Sequence, residues 1–118
     1  MAGVDSRSIF SKIIAREIPA DIVFESDTMI AFKDIAPQAP VHLLVVPKTE
    51  EYRDVTELAA GDPALLAELV ATAQSLAATH TGGEFRLVFN TGGSVGQTIF
   101  HVHAHVLGGD LEEGTLAK

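Results

Sequence analysis

The spacing of apolar and polar residues changes along this chain, and it predicts helices in some segments and strands in others. Apolar residues at helical spacing predict a first helix over residues 8–17, which Pro19 ends, and a longer second helix from residue 63. Asp62 can cap the second helix, and the glycine pair at positions 82 and 83 stops it. Short apolar runs between turn residues predict strands over residues 22–25, 29–33, 41–46, 85–91 and 99–107.

The order of these elements predicts the fold class. A helix, three strands, a helix and two strands indicate an α+β domain, in which an antiparallel sheet of about five strands carries two helices on one side. The 118 residues suffice for one domain with a hydrophobic core, in which residues 110–118 form an acidic C-terminal tail.

Charge and composition narrow the class of protein. The net charge of −8 argues against broad binding to nucleic acid or to an anionic membrane, because no basic stripe offsets the repulsion. The chain has no cysteine, which excludes disulfides, thiolate metal sites and a cysteine nucleophile. No apolar run reaches membrane-spanning length, and the start lacks the features of a signal peptide, so we expect a cytoplasmic protein.

Three of the five histidines alternate with small apolar residues in the last predicted strand. Because successive side chains of a strand point to opposite faces, His101, His103 and His105 are expected on one face and their neighbours in a core. A row of imidazoles packs poorly, and it is typical of sites for proton transfer, phosphate or metal. The glycine-rich loop over residues 92–97 lets backbone N–H groups approach an anion closely.

A longer stretch of sequence carries a family resemblance. From Asn90 the chain runs through the glycine loop to His101-Val102-His103-Ala104-His105-Val106-Leu107-Gly108-Gly109, and this run resembles the signature of the histidine triad family. The resemblance continues upstream in residues 9–14, 17–20 and 31–42. The asparagine before the loop and the Leu-Gly-Gly after the histidines are similar to the Hint branch, the purine nucleoside phosphoramidases.

The resemblance implies a hydrolase that acts on purine nucleotides. It would cleave the phosphorus–nitrogen bond of purine nucleoside 5′-phosphoramidates through a nucleotidyl-histidine intermediate, without metal or another cofactor. AMP–amines, AMP–lysine adducts and aminoacyl-adenylates are all chemically reasonable substrates. The family forms homodimers, so the resemblance also implies a sheet that continues across a two-fold axis.

Each histidine of the matched region receives a role from the resemblance. His103 would attack the α-phosphorus, and His105 would contact the phosphate or the leaving group. His101 would orient the site from the end of the strand. His42, in the third predicted strand, would reach across to the triad.

Further residues are expected to bind the nucleotide. Gln97 and Thr98 offer neutral donors beside the reacting centre, and Asn90 can hold a nucleotide or leaving-group oxygen. By resemblance, Asp34 would bind the ribose hydroxyls, and apolar side chains would form a slot for the base. The other residues expected in that slot or in the phosphate loop are Phe10, Ile13, Phe32, Ile35 and Gly96.

Two other functions remain open from the residues alone. Histidines two positions apart on a strand can chelate one zinc ion, with a third ligand from His42 or a carboxylate, although acids near the triad begin only at Asp110. The same pocket also suits a nucleotide-binding regulatory module with little catalysis. Two departures from the Hint branch affect selectivity: Thr98 stands where serine is common, and the tail lacks the tryptophan of animal members.

Overall fold

The structure is a computed structural model that describes residues 7–113, and its centre is one antiparallel sheet. The strands are β1 Ile22–Glu25, β2 Met29–Lys33, β3 Val41–Pro47, β4 Arg86–Val88 and β5 Ala104–Gly108, and they lie in the order β1-β2-β3-β5-β4. The α-helices of the described residues are α1 Ile9–Ile14, α2 Val55–Gly61 and α3 Pro63–His80, and a 3₁₀ turn spans Gly93–Val95. Within this part of the chain, no helix combines the length and the apolar character that a membrane span requires.

The predictions hold best for the first half of the sheet. β1 and β2 have the predicted bounds, and β3 extends one residue further, into Pro47.

The prediction of two helices is wrong, because α2 is a third helix with Asp54 as its N-cap. It is seven residues long and buries only Leu58, so it shows no apolar stripe in the sequence. α1 ends at Ile14 rather than at residue 17, since Arg16 takes a positive φ of 64°.

The helices lie on both faces of the sheet, which corrects the prediction of one face. α1 packs through Phe10 and Ile13 against Phe32 and Leu44. α2 and α3 cover the opposite face, where the buried residues include Met29, Ala31, Leu43, Val45, Leu58, Leu69, Ala73 and Leu76. β2 and β3 are therefore buried on both sides, and this is the physical reason for their unbroken apolar runs.

Strand register decides which side chains share a face with α1. Leu44 of β3 lies opposite His105 of β5, and directly opposite residues of an antiparallel pair point to the same side. His42 lies two residues before Leu44, so it belongs to the same face. The other face receives the residues between the histidines, which are buried as the alternation predicted: Val102, Ala104 and Val106.

Candidate active site

Only one of the three alternating histidines belongs to a strand, because β5 begins at Ala104. His101 precedes it in irregular backbone, and its 2% exposed ring is held at both nitrogens. Nε2 lies 2.7 Å from the carbonyl oxygen of Pro47, and Nδ1 lies 2.7 Å from Oγ of Ser8. A carbonyl only accepts, so in the neutral ring Nε2 donates to Pro47 and Nδ1 accepts from the Ser8 hydroxyl.

The ring of His103 is oriented by the backbone of His101. Its Nδ1 donates to the carbonyl oxygen of His101 at 2.8 Å, so the neutral ring carries no hydrogen at Nε2. Burial lowers the pKa of His103, against a smaller raising effect of the hydrogen bond to that carbonyl. His103 therefore presents an unprotonated nitrogen, which is the nucleophilic form of an imidazole.

His42 and His105 form a hydrogen-bonded pair whose tautomers follow from their partners. The backbone N–H of Gln38 donates to Nδ1 of His42 at 3.0 Å, so the hydrogen of the neutral His42 ring lies on Nε2. That Nε2 is 2.8 Å from Nδ1 of His105, which must accept, so the neutral His105 ring carries its own hydrogen on Nε2. Burial, followed by the neighbouring His103 and His42, lowers the pKa of His105 to about 4.

Asp34 brings a carboxylate to this pair from the end of β2. Its Oδ2 lies 3.3 Å from Nε2 of His42, and its Oδ1 accepts from the backbone N–H of Ala36 at 2.8 Å. Burial lowers the pKa of His42, and the charge of Asp34 opposes this effect. The sequence showed acids near the triad only from Asp110 onward, but strand pairing brings a carboxylate from a distant position.

Asp34, His42 and His105 are also the one group in residues 7–113 that offers three ligand atoms close together, all within 4.8 Å of one another. Imidazole nitrogen and carboxylate oxygen are ligand types that suit zinc. This set contains a single histidine of the triad, because His101 is turned towards Pro47 and Ser8. This candidate ligand set therefore differs from the one that the alternating histidines suggested.

A cavity of about 270 Å³ lies beside His103 and His105. Most residues expected to bind a nucleotide are in its wall, namely Phe10, Ile13, Phe32, Asp34, Ile35, Asn90, Gly96 and Thr98. The wall also contains residues that the sequence did not single out: Ile9, Ile18, Pro19, Ala20, Lys33, Leu44 and Ile99. Their apolar members carried no distinguishing signal, since a role in the core explained them equally well.

Three of the predicted site residues lie outside the wall of this cavity. His42 contacts two residues of the wall, His105 and Asp34, and His101 lies in the wall of a second cavity. The 4% exposed Gln97 braces the glycine loop instead. Its Oε1 accepts from the backbone N–H of Gly92 at 2.9 Å, and its Nε2 donates to the carbonyl oxygens of Arg53 and Ile99. The polar groups of Gln97, which the sequence suggested as donors beside the reacting centre, are thus engaged by the backbone in this structure.

Known proteins resemble this chain over almost its whole length. Residues 7–118 match the family described as "Scavenger mRNA decapping enzyme C-term binding". An uncharacterized HIT-like protein of Synechocystis sp. is 53% identical over 106 residues, which cover 86% of this chain and 90% of that protein. The purine nucleoside phosphoramidase of Escherichia coli (strain K12) is 41% identical over 104 residues, which cover 86% of this chain and 87% of that protein.

The same similarity is found among solved structures. A HIT family hydrolase from Clostridium thermocellum has a TM-score of 0.83 and 37% sequence identity, over 92% of this chain and 94% of that chain. The sequence identity, the coverage of the chains and the shared fold indicate the same family as the three alternating histidines. The chain therefore belongs to the histidine triad family.

Proposed function

We propose that this protein is a nucleotide hydrolase that cleaves the phosphorus–nitrogen bond of purine nucleoside 5′-phosphoramidates, with His103 as the nucleophile. One observation carries the proposal: Nδ1 of His103 donates to the carbonyl oxygen of His101 at 2.8 Å, which leaves the lone pair of Nε2 free for phosphorus. The 41% identity to a protein named purine nucleoside phosphoramidase supports the substrate class. An aminoacyl-adenylate would react at the same phosphorus, with a carboxylate as the leaving group.

The reaction divides one displacement at phosphorus into two. In the first step the bond from Nε2 of His103 to phosphorus forms, the phosphorus–nitrogen bond of the substrate breaks, and the departing amine takes up one proton. In the second step water attacks phosphorus, the bond to Nε2 breaks, and the nucleoside monophosphate leaves while one proton returns. The site must therefore supply and recover a single proton in each turnover.

We assign this proton to the row formed by Asp34, His42 and His105. When the pair holds one additional proton, Nε2 of His105 can pass its hydrogen to the departing amine, and both rings are then left neutral. The carboxylate of Asp34, 3.3 Å from Nε2 of His42, favours a positive charge on the row. The coupled groups gain and lose this proton as one unit.

The same cavity supports binding of a purine nucleoside. Asp34, in the cavity wall, is proposed to accept the ribose hydroxyls. Phe10, Ile13 and Phe32 offer an apolar surface for the base, which favours the larger purine through buried area rather than through hydrogen-bond readout. Asn90 and Thr98 are proposed to contact the phosphate or the leaving group, with the backbone at Gly96.

Release of AMP from adenosine 5′-phosphoramidate, measured in excess chelator, tests the proposal. We expect steady multiple turnover for the natural chain and none for His103→Ala, whose nucleotide affinity should be nearly unchanged. Intact-protein mass after rapid quenching should show one adenylyl group on the natural chain and none on His103→Ala.

His80→Ala is the matched control, because His80 lies at the C-terminal end of α3 outside the proposed site. This control should retain full activity. Turnover by His103→Ala at the natural rate would remove His103 from the mechanism. Binding of AMP without turnover in either metal condition would instead indicate a nucleotide-binding regulatory module.

A zinc-dependent function is the second candidate, and the ligand set of Asp34, His42 and His105 favours it. In that case these residues would hold the ion, and the ion would supply Lewis-acid assistance at phosphorus. We expect this candidate to fail, since each of the three already has a hydrogen-bonding partner within the protein. Activity that is lost in chelator and restored by zinc would instead favour the zinc-dependent function over the metal-independent one.

We also propose that the protein is a homodimer in which the sheet continues from one chain to the other. β1 and β4 are the two edges of the sheet, and an edge strand can pair with another chain. Sedimentation equilibrium should give twice the mass of one chain. A mass of one chain at all concentrations would contradict this assembly.

A further inference from the structure

A second cavity, of about 360 Å³, contains Ser8, Glu50 and His101 in its wall. Ser11 of α1 connects two of these residues. Its hydroxyl donates to Oε2 of Glu50 at 2.6 Å, and its Oγ lies 3.3 Å from Oγ of Ser8. The proposed reaction requires neither the carboxylate nor the serines, yet together they form a continuous chain of contacts that ends on Nδ1 of His101.

Each serine has one hydroxyl hydrogen, and the contacts determine where it goes. A carboxylate only accepts, so the short contact to Glu50 takes the hydrogen of Ser11. Ser8 Oγ accepts from the backbone N–H of Ser11 at 3.0 Å, which leaves its own hydrogen for Nδ1 of His101. Ser11 Oγ is itself 3.4 Å from that Nδ1, too long to compete with the 2.7 Å contact of Ser8. Because Glu50 accepts the hydrogen of Ser11, Ser8 is the serine whose hydroxyl donates to Nδ1 of His101.

The peptide group between His101 and Val102 transmits this arrangement to the nucleophile. Its carbonyl oxygen accepts from Nδ1 of His103, and its N–H donates to the carbonyl oxygen of Tyr52 at 3.0 Å. The peptide lies before the start of β5, so the strand ladder does not fix its orientation. The orientation of this peptide is therefore restrained by its hydrogen bond to Tyr52 and by the ring of His101, which is anchored at both nitrogens.

We propose that Glu50 is a positioning residue, which acts through Ser11 and Ser8 to hold His101 and thereby directs Nε2 of His103 at phosphorus. The inference rests on the proposed function, because the transfer to His103 is the step that would slow. Glu50 lies outside the wall of the cavity proposed for the nucleotide, so the rate of transfer should change and the nucleotide affinity should not. The charge of Glu50 also raises the pKa of His101, against a larger lowering by burial.

Single-turnover kinetics of Ser11→Ala, Glu50→Gln and the double variant test this chain of contacts. Since small displacements of a reacting group are costly, we expect each single variant to transfer the adenylyl group about tenfold more slowly, with unchanged affinity for AMP. If the carboxylate acts through Ser11, the double variant should be no slower than either single variant. Glu84→Gln, which removes one charge on the turn before β4, is the matched control and should react at the natural rate.

Ring ¹⁵N spectra give a readout that does not depend on turnover. Glu50→Gln and Ser11→Ala should both shift the Nδ1 signal of His101 and the Nε2 signal of His103, whereas Glu84→Gln should shift neither. Ser11→Ala is compatible with the fold because alanine is favourable in a helix. Ser8→Thr, which keeps the hydroxyl and the helix cap, should restore what Ser8→Ala loses.

Unchanged ring signals together with unchanged rates would overturn the inference, and so would additive effects in the double variant. Failure of the proposed function has a different signature. In that case the natural chain shows no adenylyl transfer, while the ring signals still respond to Ser11→Ala and Glu50→Gln. The two proposals can therefore fail separately.

Discussion

At the scale of single residues, the four histidines of the site are neutral because of where they are buried. Burial is the largest effect on the pKa of His42, His101, His103 and His105, and it lowers each of them. Hydrogen bonds to backbone groups select the tautomers of His42, His101 and His103, and the ring of His42 in turn selects that of His105. The sequence supplied the imidazoles, but only the fold shows which nitrogen of each ring carries a hydrogen.

The lowered pKa values predict how stability depends on pH. The pKa of His105 is about 4 in the folded protein against an ordinary value of 6.5, so between these values the unfolded chain binds more protons. The stability that depends on the neutral ring is therefore complete above pH 6.5 and is lost as the pH falls towards 4. Urea unfolding at a series of pH values should show this slope. Replacing His105 by Gln should flatten it, and His80→Ala should not.

Asp34 contacts His42 and is also the proposed acceptor of the ribose hydroxyls, so one substitution should change two measurable properties. Asp34→Ala should remove the preference for ribose over deoxyribose substrates, since the carboxylate is the proposed acceptor of the two hydroxyls. It should also lower the pKa of His42 further, because the opposing charge is lost. Competition between adenosine and deoxyadenosine phosphoramidates measures the first effect. Unchanged discrimination would exclude Asp34 from the ribose site.

At the scale of elements, the parts of the fold that the sequence predicted are those with their own periodic pattern. β1, β2 and α3 are examples, and α3 begins after the predicted Asp62 cap and ends before the predicted glycine pair. β4 was predicted too long, because Phe85 and Phe89 are strand formers that lie outside the ladder. The position of Asp34 beside His42 depends on β2–β3 register, which no local pattern reveals.

The glycine loop is held by Gln97, a side chain that the sequence suggested as a donor beside the reacting centre. Gln97→Ala should lower the free energy of unfolding by about 2 kcal/mol, because it removes three partly buried hydrogen bonds to backbone groups. Gln74→Ala, on the exposed face of α3, should change stability little. Chemical denaturation of both variants gives the comparison. Equal stability of the two would contradict the supporting role of Gln97.

At the scale of the whole molecule, the sheet separates two hydrophobic cores, of which one borders the proposed site and the other does not. One core, between α3 and the sheet, contains Leu69, and the other, beneath α1, contains Phe10. Only the second borders the cavity beside His103. The sequence indicated a single core because it gave no sign that the helices lie on opposite faces.

The two cores should respond differently to the loss of a large side chain. Leu69→Ala should lower the free energy of unfolding by about 3 kcal/mol and leave the hydrolysis rate of the folded protein unchanged. Phe10→Ala should reduce both, since its ring also packs against His103 at a centroid distance of 4.8 Å. Denaturation and AMP release, measured on the same preparations, would distinguish the cores. A slow but stable Leu69→Ala protein would contradict this division.

The contact between Ser8 and Nδ1 of His101 joins residues 93 positions apart, and this has a consequence for protein synthesis. Translation makes Ser8 well before His101, so Ser8 has no imidazole partner until 93 further residues have been added. A nascent chain that stops before β5 lacks the triad and also lacks the partner that fixes Ser8. Among residues 7–113 the proposed catalytic centre would therefore be completed late, and chains that stop before β5 should not hydrolyse the substrate.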